Sequence, residues 1–178
     1  MSDEFSTVSA FSALLKNVEQ LGDILRQRGW TISCAESCTG GGIAYALTSV
    51  AGSSQWFNQS WVTYSNEAKQ QCLGVTQGTL AQFGAVSEQT VAQMVTGVVK
   101  NSGADIAVSV SGIAGPSGGT ATKPVGTVWF GFMVKGALIT QCCRFDGDRL
   151  SVREQAINYA INFLYQRLVA EENKVRQT

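Results

Sequence analysis

Apolar residues recur at three- and four-residue spacing through Val8, Phe11, Leu14, Leu15, Val18, Leu21 and Leu25, which predicts an amphipathic helix over about 8–28. Arg28-Gly29 marks its end, and Gly22 reads as a weak point inside it. Thr31 to Ala35 then reads as a short strand, followed by a glycine-rich turn and a helix from about Thr39 to Val50. Gln59 to Tyr64 is strand-like, and Asn66 to Leu73 suits a short helix closed by Gly74. Ser87 is placed to cap a helix running to about Asn101, with Val91, Met94, Val95 and Val98 on one face. Asp105 to Ser111 is rich in β-branched residues, as expected of a central strand covered on both faces. Val125 to Lys135 and Ala137 to Phe145 suit two antiparallel strands turning at Lys135-Gly136. A last helix runs from Arg149 to about Ala170 and buries Val152, Ala156, Tyr159, Phe163 and Leu164. Helices alternate with strands early and a hairpin comes late. The pattern predicts an α/β fold, a single three-layer α/β/α domain over 1–178 with a mixed sheet.

Composition narrows the chemistry. The 178 residues carry 13 Lys+Arg against 13 Asp+Glu, and zero net charge gives no long-range pull toward a nucleic-acid backbone. The absence of histidine removes every Ser-His-Asp triad, Cys-His pair and His-ligated metal site. Ser37 to Asn66 is uncharged, but its apolar part, Ile43 to Val50, is far short of the ~20 residues of a membrane span. Met1 to Thr7 holds Asp3 and Glu4 and no basic residue, so no signal peptide is expected. Five cysteines without a CxxC pair suit reduced thiols and a cytoplasmic location.

Three segments combine glycine with small hydroxyls where a strand should meet a loop. In Cys34 to Gly42, Ser37 or Thr39 follows a strand at the start of a helix, among unpaired N–H groups. Those groups suit a phosphate, or an oxyanion formed if Ser37 attacks a carbonyl; an N-cap is the plainer role. Cys38, in the same turn, is a rival nucleophile. In Tyr64 to Lys69, Lys69 is either a surface lysine or, with no histidine present, the base a serine nucleophile needs. Tyr64 either relays a proton and orients substrate, or only packs. Ser109 to Gly119, with Ser111, Gly112 and Gly115, is dense enough in glycine to approach a ligand closely, or is a flexible loop. Arg149 and Arg153 share a helix face and suit one phosphate, unless Asp146 or Asp148 pairs with Arg149.

The blocks Ala35 to Gly41, Val62 to Lys69, Gly84 to Ser87, Ser111 to Pro116, Lys123 to Val128 and Gly147 to Arg149, in this order, resemble the CinA carboxy-terminal domain family over about 29–168. Within it the resemblance is to the stand-alone nicotinamide mononucleotide deamidases, and it implies hydrolysis of a carboxamide to a carboxylate and ammonia. It places the family's catalytic serine on Ser37, its lysine on Lys69 and its tyrosine on Tyr64, and suggests a homodimer. Backbone amides near Cys38 and Thr39 are then candidates for the oxyanion, and Gly40 beside them is a candidate substrate contact. The loop bearing Ser111, Gly112 and Gly115, with Arg149 and Arg153, is the candidate site for ribose and phosphate. No metal or organic cofactor is expected, because the hydrolysis needs neither a redox step nor an electron sink. A nucleotide-binding module without turnover and a Ser-Lys amidase acting on another substrate are the competing readings.

Overall fold

The computed structural model describes residues 3–175, with side chains described for residues 12–171. Its elements are α1 (Asp3–Arg28), β1 (Ile32–Glu36), α2 (Gly42–Thr48), β2 (Phe57–Val62), α3 (Asn66–Leu73), α4 (Gln77–Phe83), α5 (Glu88–Ser102), β3 (Ile106–Gly112), β4 (Thr127–Val134), β5 (Ala137–Arg144) and α6 (Arg149–Val175). The strands form one mixed sheet in the order β2-β1-β3-β4-β5. β1 runs parallel to β2 and β3, whereas β4 pairs antiparallel with β3 and with β5.

Both faces of the sheet are covered. Val18, Leu21 and Leu25 of α1, Ile43 and Leu47 of α2, and Ile161, Leu164 and Leu168 of α6 pack on Ile106, Val108, Val110, Phe130 and Phe132. On the other face Leu73 of α3 and Met94, Val95 and Val98 of α5 meet Ala35 and Ala107. Sandwiched this way, β3 buries every residue from Ile106 to Ser111, so that even the small polar Ser109 and Ser111 lie inside. Lys135 and Gly136 both take positive φ, 48° and 86°, in the two-residue turn that suits the twist of β4 and β5.

The helix expected from about Thr39 is shorter, starting at Gly42, because Gly40 and Gly41 adopt positive φ of 61° and 97° and keep the chain in a turn. Helix α4 has no counterpart in the sequence reading. It is only seven residues long, too short for an apolar period, and its one clear signal is Thr76, whose side chain accepts from Thr79 N. The last helix continues past Ala170 to Val175, and Tyr159 and Phe163 are half-buried where burial was expected. Gly22 is a seat and not a weak point: a Cβ there would stand 2.8 Å from Nε1 of the fully buried Trp56. Val8 and Phe11 lie outside the described side chains.

Gly97, where α5 crosses α3, has a similar task, since a methyl group on it would overlap the carbonyl of Leu73. Alanine favours a helix over glycine by ~1 kcal/mol, but the obstacle here is backbone and cannot swing away. Gly97→Ala is therefore expected to lower stability by about 2–4 kcal/mol net, read as a fall in the urea midpoint; an unchanged or raised midpoint would mean that α3 and α5 are not this close.

Candidate active site

Parallel strands point their carboxyl ends the same way, so the segments after β1, β2 and β3 meet at one edge of the sheet. The antiparallel hairpin brings the start of β4 and the end of β5 to that edge, and α6 begins there too. β1 leads to α2 on one face and β2 leads to α3 on the other. Such a divergence opens a crevice outside the carboxyl ends, the usual place for a ligand in a sheet of this kind.

Ser37 sits there, one residue past β1. Its N–H donates to Val110 O at 3.0 Å, and Thr63 N–H donates to Glu36 O at 2.8 Å, so both neighbouring strands hold the residue in place. Lys69 projects toward it from α3, a helix capped by the Ser65 side chain at its start and by Gly74 at its end. Lys69 and Leu73 are four apart and form the buried face of α3, so the lysine occupies a position that would ordinarily be apolar. Lys69 is only 1% exposed. Its Nζ donates to Ser37 Oγ at 3.0 Å and to Thr63 O at 2.7 Å. Burial lowers its pKa from 10.5 to about 8, and the neighbouring Cys38 opposes this only in part. A neutral amine that keeps its bond to Thr63 O has a lone pair left for the Ser37 hydroxyl proton.

The turn that follows is held by Glu36, to which the sequence reading gave no role. Glu36 is fully buried. Its carboxylate accepts from Thr39 Oγ1 (2.6 Å), Gly41 N (3.1 Å), Ile43 N (3.0 Å) and Ala44 N (2.9 Å). Gly40 N and Gly42 N are taken by Ser37 O and Thr39 O. The start of α2 is thus occupied and is not free for a phosphate. Among the described residues, the amides of Cys38 and Thr39 are the two from 37 to 45 that donate to no other residue. The signal for Glu36 was in the sequence: it is the only charged residue between Arg28 and Glu67, and it ends an otherwise uncharged strand.

The remaining candidates lie around this centre. Arg149 donates through Nη2 to Tyr64 Oη at 2.8 Å and through Nη1 to Gly115 O at 2.9 Å. Arg153 donates to Thr39 O at 3.0 Å, and its buried Nε has no partner among the described residues. Both arginines line a cleft with Ala114, Pro116, Val125, Gly147, Asp148 and Leu150. Asp148 accepts from Ser151 N and Ser151 Oγ, and neither arginine pairs with a carboxylate among the described residues. Gly40 lies against Arg153, 3.4 Å from Nη2 to the position a Cβ would take. Ser111 is buried and Gly112 half-buried at the carboxyl end of β3, beside the strand that holds Ser37; Gly112 packs on Val128, and a Cβ on it would clash there. Tyr64 is 61% exposed at the rim. Cys38 is buried, and burial pushes its thiol up to about 11, against its use as a thiolate near neutral pH. Cys72, on α3, and Cys142, on β5, are exposed.

The sequence pattern of the CinA C-terminal domain family matches residues 15–168. The chain is 57% identical over 143 residues to the nicotinamide-nucleotide amidohydrolase PncC of Enterobacter agglomerans, covering 80% of this chain and 87% of that one. It is 54% identical over 159 residues to the protein of the same name from Escherichia coli K12, covering 89% and 96%. Among solved structures, the competence damage-inducible protein A of Klebsiella pneumoniae superposes with a TM-score of 0.85 at 40% identity, covering 88% of this chain and 97% of that one.

The buried lysine has a cost that can be read as stability. An unfolded chain holds the Lys69 proton up to pH 10.5, whereas the folded chain releases it near 8. Between those values unfolding takes up a proton, so the folded state gains on the unfolded state as pH rises. Below 8 both states are charged and the full penalty, about 3 kcal/mol, is present. Relative to Lys69→Met, the native protein should therefore gain about 3 kcal/mol between pH 8 and 10.5. Denaturant melts at several pH values test this, and stability curves that stay parallel would contradict the lowered pKa.

Proposed function

The chain belongs to the CinA C-terminal domain family, and from that premise we propose that it hydrolyses the carboxamide of nicotinamide mononucleotide to nicotinic acid mononucleotide and ammonia, with Ser37 as nucleophile and Lys69 as general base. The observation that carries the reading is the hydrogen bond between Lys69 Nζ and Ser37 Oγ, made by a desolvated amine in a chain without histidine. The names of the amidohydrolase relatives from Enterobacter agglomerans and Escherichia coli support the substrate.

In this mechanism neutral Lys69 takes the Ser37 proton as Oγ bonds to the carboxamide carbon. The carbonyl oxygen becomes an oxyanion facing the unpaired amides of Cys38 and Thr39, a donor pair worth ~3 kcal/mol per bond in sites of this kind. Collapse breaks the C–N bond, and Lys69 returns its proton to the departing ammonia. Water, deprotonated by Lys69, then opens the ester on Ser37 and releases the carboxylate. Arg149 and Arg153 hold the 5′-phosphate in the cleft they line, with the Gly112–Gly115 segment against the ribose. Tyr64, held by Arg149, orients the substrate at the rim. The same reading carries a cytoplasmic enzyme of one domain that works as a homodimer without a cofactor; among the described residues no helix is long and apolar enough to cross a membrane.

A binding module in which Lys69 only contacts phosphate is less well supported, since its amine is directed inward to Ser37 and Thr63. Nucleophilic attack by Cys38 is opposed by its raised pKa.

Ammonia release from nicotinamide mononucleotide, with the product identified by mass, tests the proposal. Ser37→Ala and Lys69→Ala should each lose about a thousandfold or more in kcat, while Cys38→Ala stays within about threefold. The rate should fall about tenfold per pH unit below 8 and level off above it, because protonated Lys69 is not a base. A flat profile from about pH 6 to 9 would remove Lys69 from the role. Nicotinamide riboside, which lacks the phosphate, should lose about a hundredfold in kcat/KM; equal turnover would move the reading to an amidase of other specificity.

A further inference from the structure

We infer that Glu36 is the positioning residue of this site, setting the Ser37 hydroxyl and the Cys38 and Thr39 amides in register through a buried carboxylate; the inference rests on Ser37 being the nucleophile.

A carboxylate removed from water needs a full set of donors or a cation. Glu36 is wholly buried and, among the described residues, has no cationic partner within ion-pair distance. Four of its donors come from the eight residues that follow it, the Thr39 hydroxyl and the amides of Gly41, Ile43 and Ala44, and the buried Cys34 thiol adds a weak fifth from β1. Two further bonds, Ser37 N to Val110 O and Thr63 N to Glu36 O, fix its own backbone between β3 and the segment after β2. The acid is therefore a hub between a rigid sheet and the turn that carries the nucleophile.

Helix α2 shows what the acid replaces. Its N-cap is Gly41, which offers no side-chain cap, so Glu36 caps the helix from a distance. This has two chemical consequences. The amides at the helix start are saturated, so an anionic group of the substrate finds no site there and is left to Arg149 and Arg153. The amides of Cys38 and Thr39, one and two residues past the nucleophile, are left to face a developing oxyanion. A Ser or Asp cap adjacent to α2 would satisfy the helix without reaching back under Ser37.

Glutamine keeps the shape of Glu36 but presents an NH2 group where at least one amide donor needs an acceptor. With Glu36→Gln, kcat for nicotinamide mononucleotide should fall by about a hundredfold, the scale of a small misplacement of reacting groups. KM should stay within about threefold, and the alkaline rise of the pH profile should keep its midpoint near 8, since Lys69 is untouched. A second readout needs no assumption about substrate. An alkyl fluorophosphonate is attacked by Ser37 Oγ at phosphorus, the P–F bond breaks and fluoride leaves, and the Ser37 proton passes to Lys69; this rate should fall in parallel. Thr39→Val, which deletes one donor to Glu36, should slow both reactions about fivefold to tenfold and decides the matter if Glu36→Gln does not fold.

Normal rates on both readouts, or a loss confined to KM, would overturn the inference. If wild type labels with the fluorophosphonate but releases no ammonia from nicotinamide mononucleotide, the substrate reading fails, and slowed labelling of Glu36→Gln still upholds the role of Glu36.

Discussion

An ammonium withdrawn from water keeps its charge only where strong acceptors replace its hydration, and Lys69 has two: the Ser37 hydroxyl and the Thr63 carbonyl. The rest of the working edge follows from satisfying that amine. Ser37 comes from the end of β1, Thr63 from the end of β2 and Lys69 from α3, so the three meet only if β1 and β2 are parallel neighbours whose chains leave to opposite faces. The strand order supplies this. The same incomplete solvation that lowers the Lys69 pKa to about 8 weakens the fold, so the proposed base and the destabilisation have one source.

Among the described residues, the two buried charged side chains, Lys69 and Glu36, are handled in opposite ways. Lys69 is under-solvated, with burial dominating its titration. Glu36 is given five hydrogen bonds, one of them from a thiol. One group must change its proton during the proposed reaction and the other must only hold its surroundings. In the proposed mechanism a lysine brought to about 8 takes the part an imidazole would otherwise play in this histidine-free chain.

How far the sequence revealed the fold depended on pattern length. The long helices α1, α5 and α6 and the uninterrupted β3 were plain from periodicity, and Asn66 to Leu73 with Gly74 was marked by its caps. Helix α4 was hidden because seven residues hold no repeat. The early start assigned to α2 failed because two glycines in left-handed conformation lie where a helical pattern seemed to begin. At the site, Ser37 and Lys69 were named from the chemistry a histidine-free chain leaves open and from family resemblance. Their approach to 3.0 Å depends on parallel pairing that no local pattern encodes. Glu36 went unread for a different reason: its partners are mostly backbone amides, and the identities of those residues carry no trace of the bond.

The unequal burial of the cysteines bears on how this molecule responds to electrophiles. Cys72 and Cys142 are open to solvent, whereas Cys38 is enclosed beside Ser37 with its thiol held protonated. Alkylating probes will therefore decorate the outer surface first and can attach fluorophores or affinity handles there while the turn after β1 stays unmodified. Inactivation by such a probe, where it occurs, reports slow opening of the molecule around Cys38 and not the chemical identity of the attacking group.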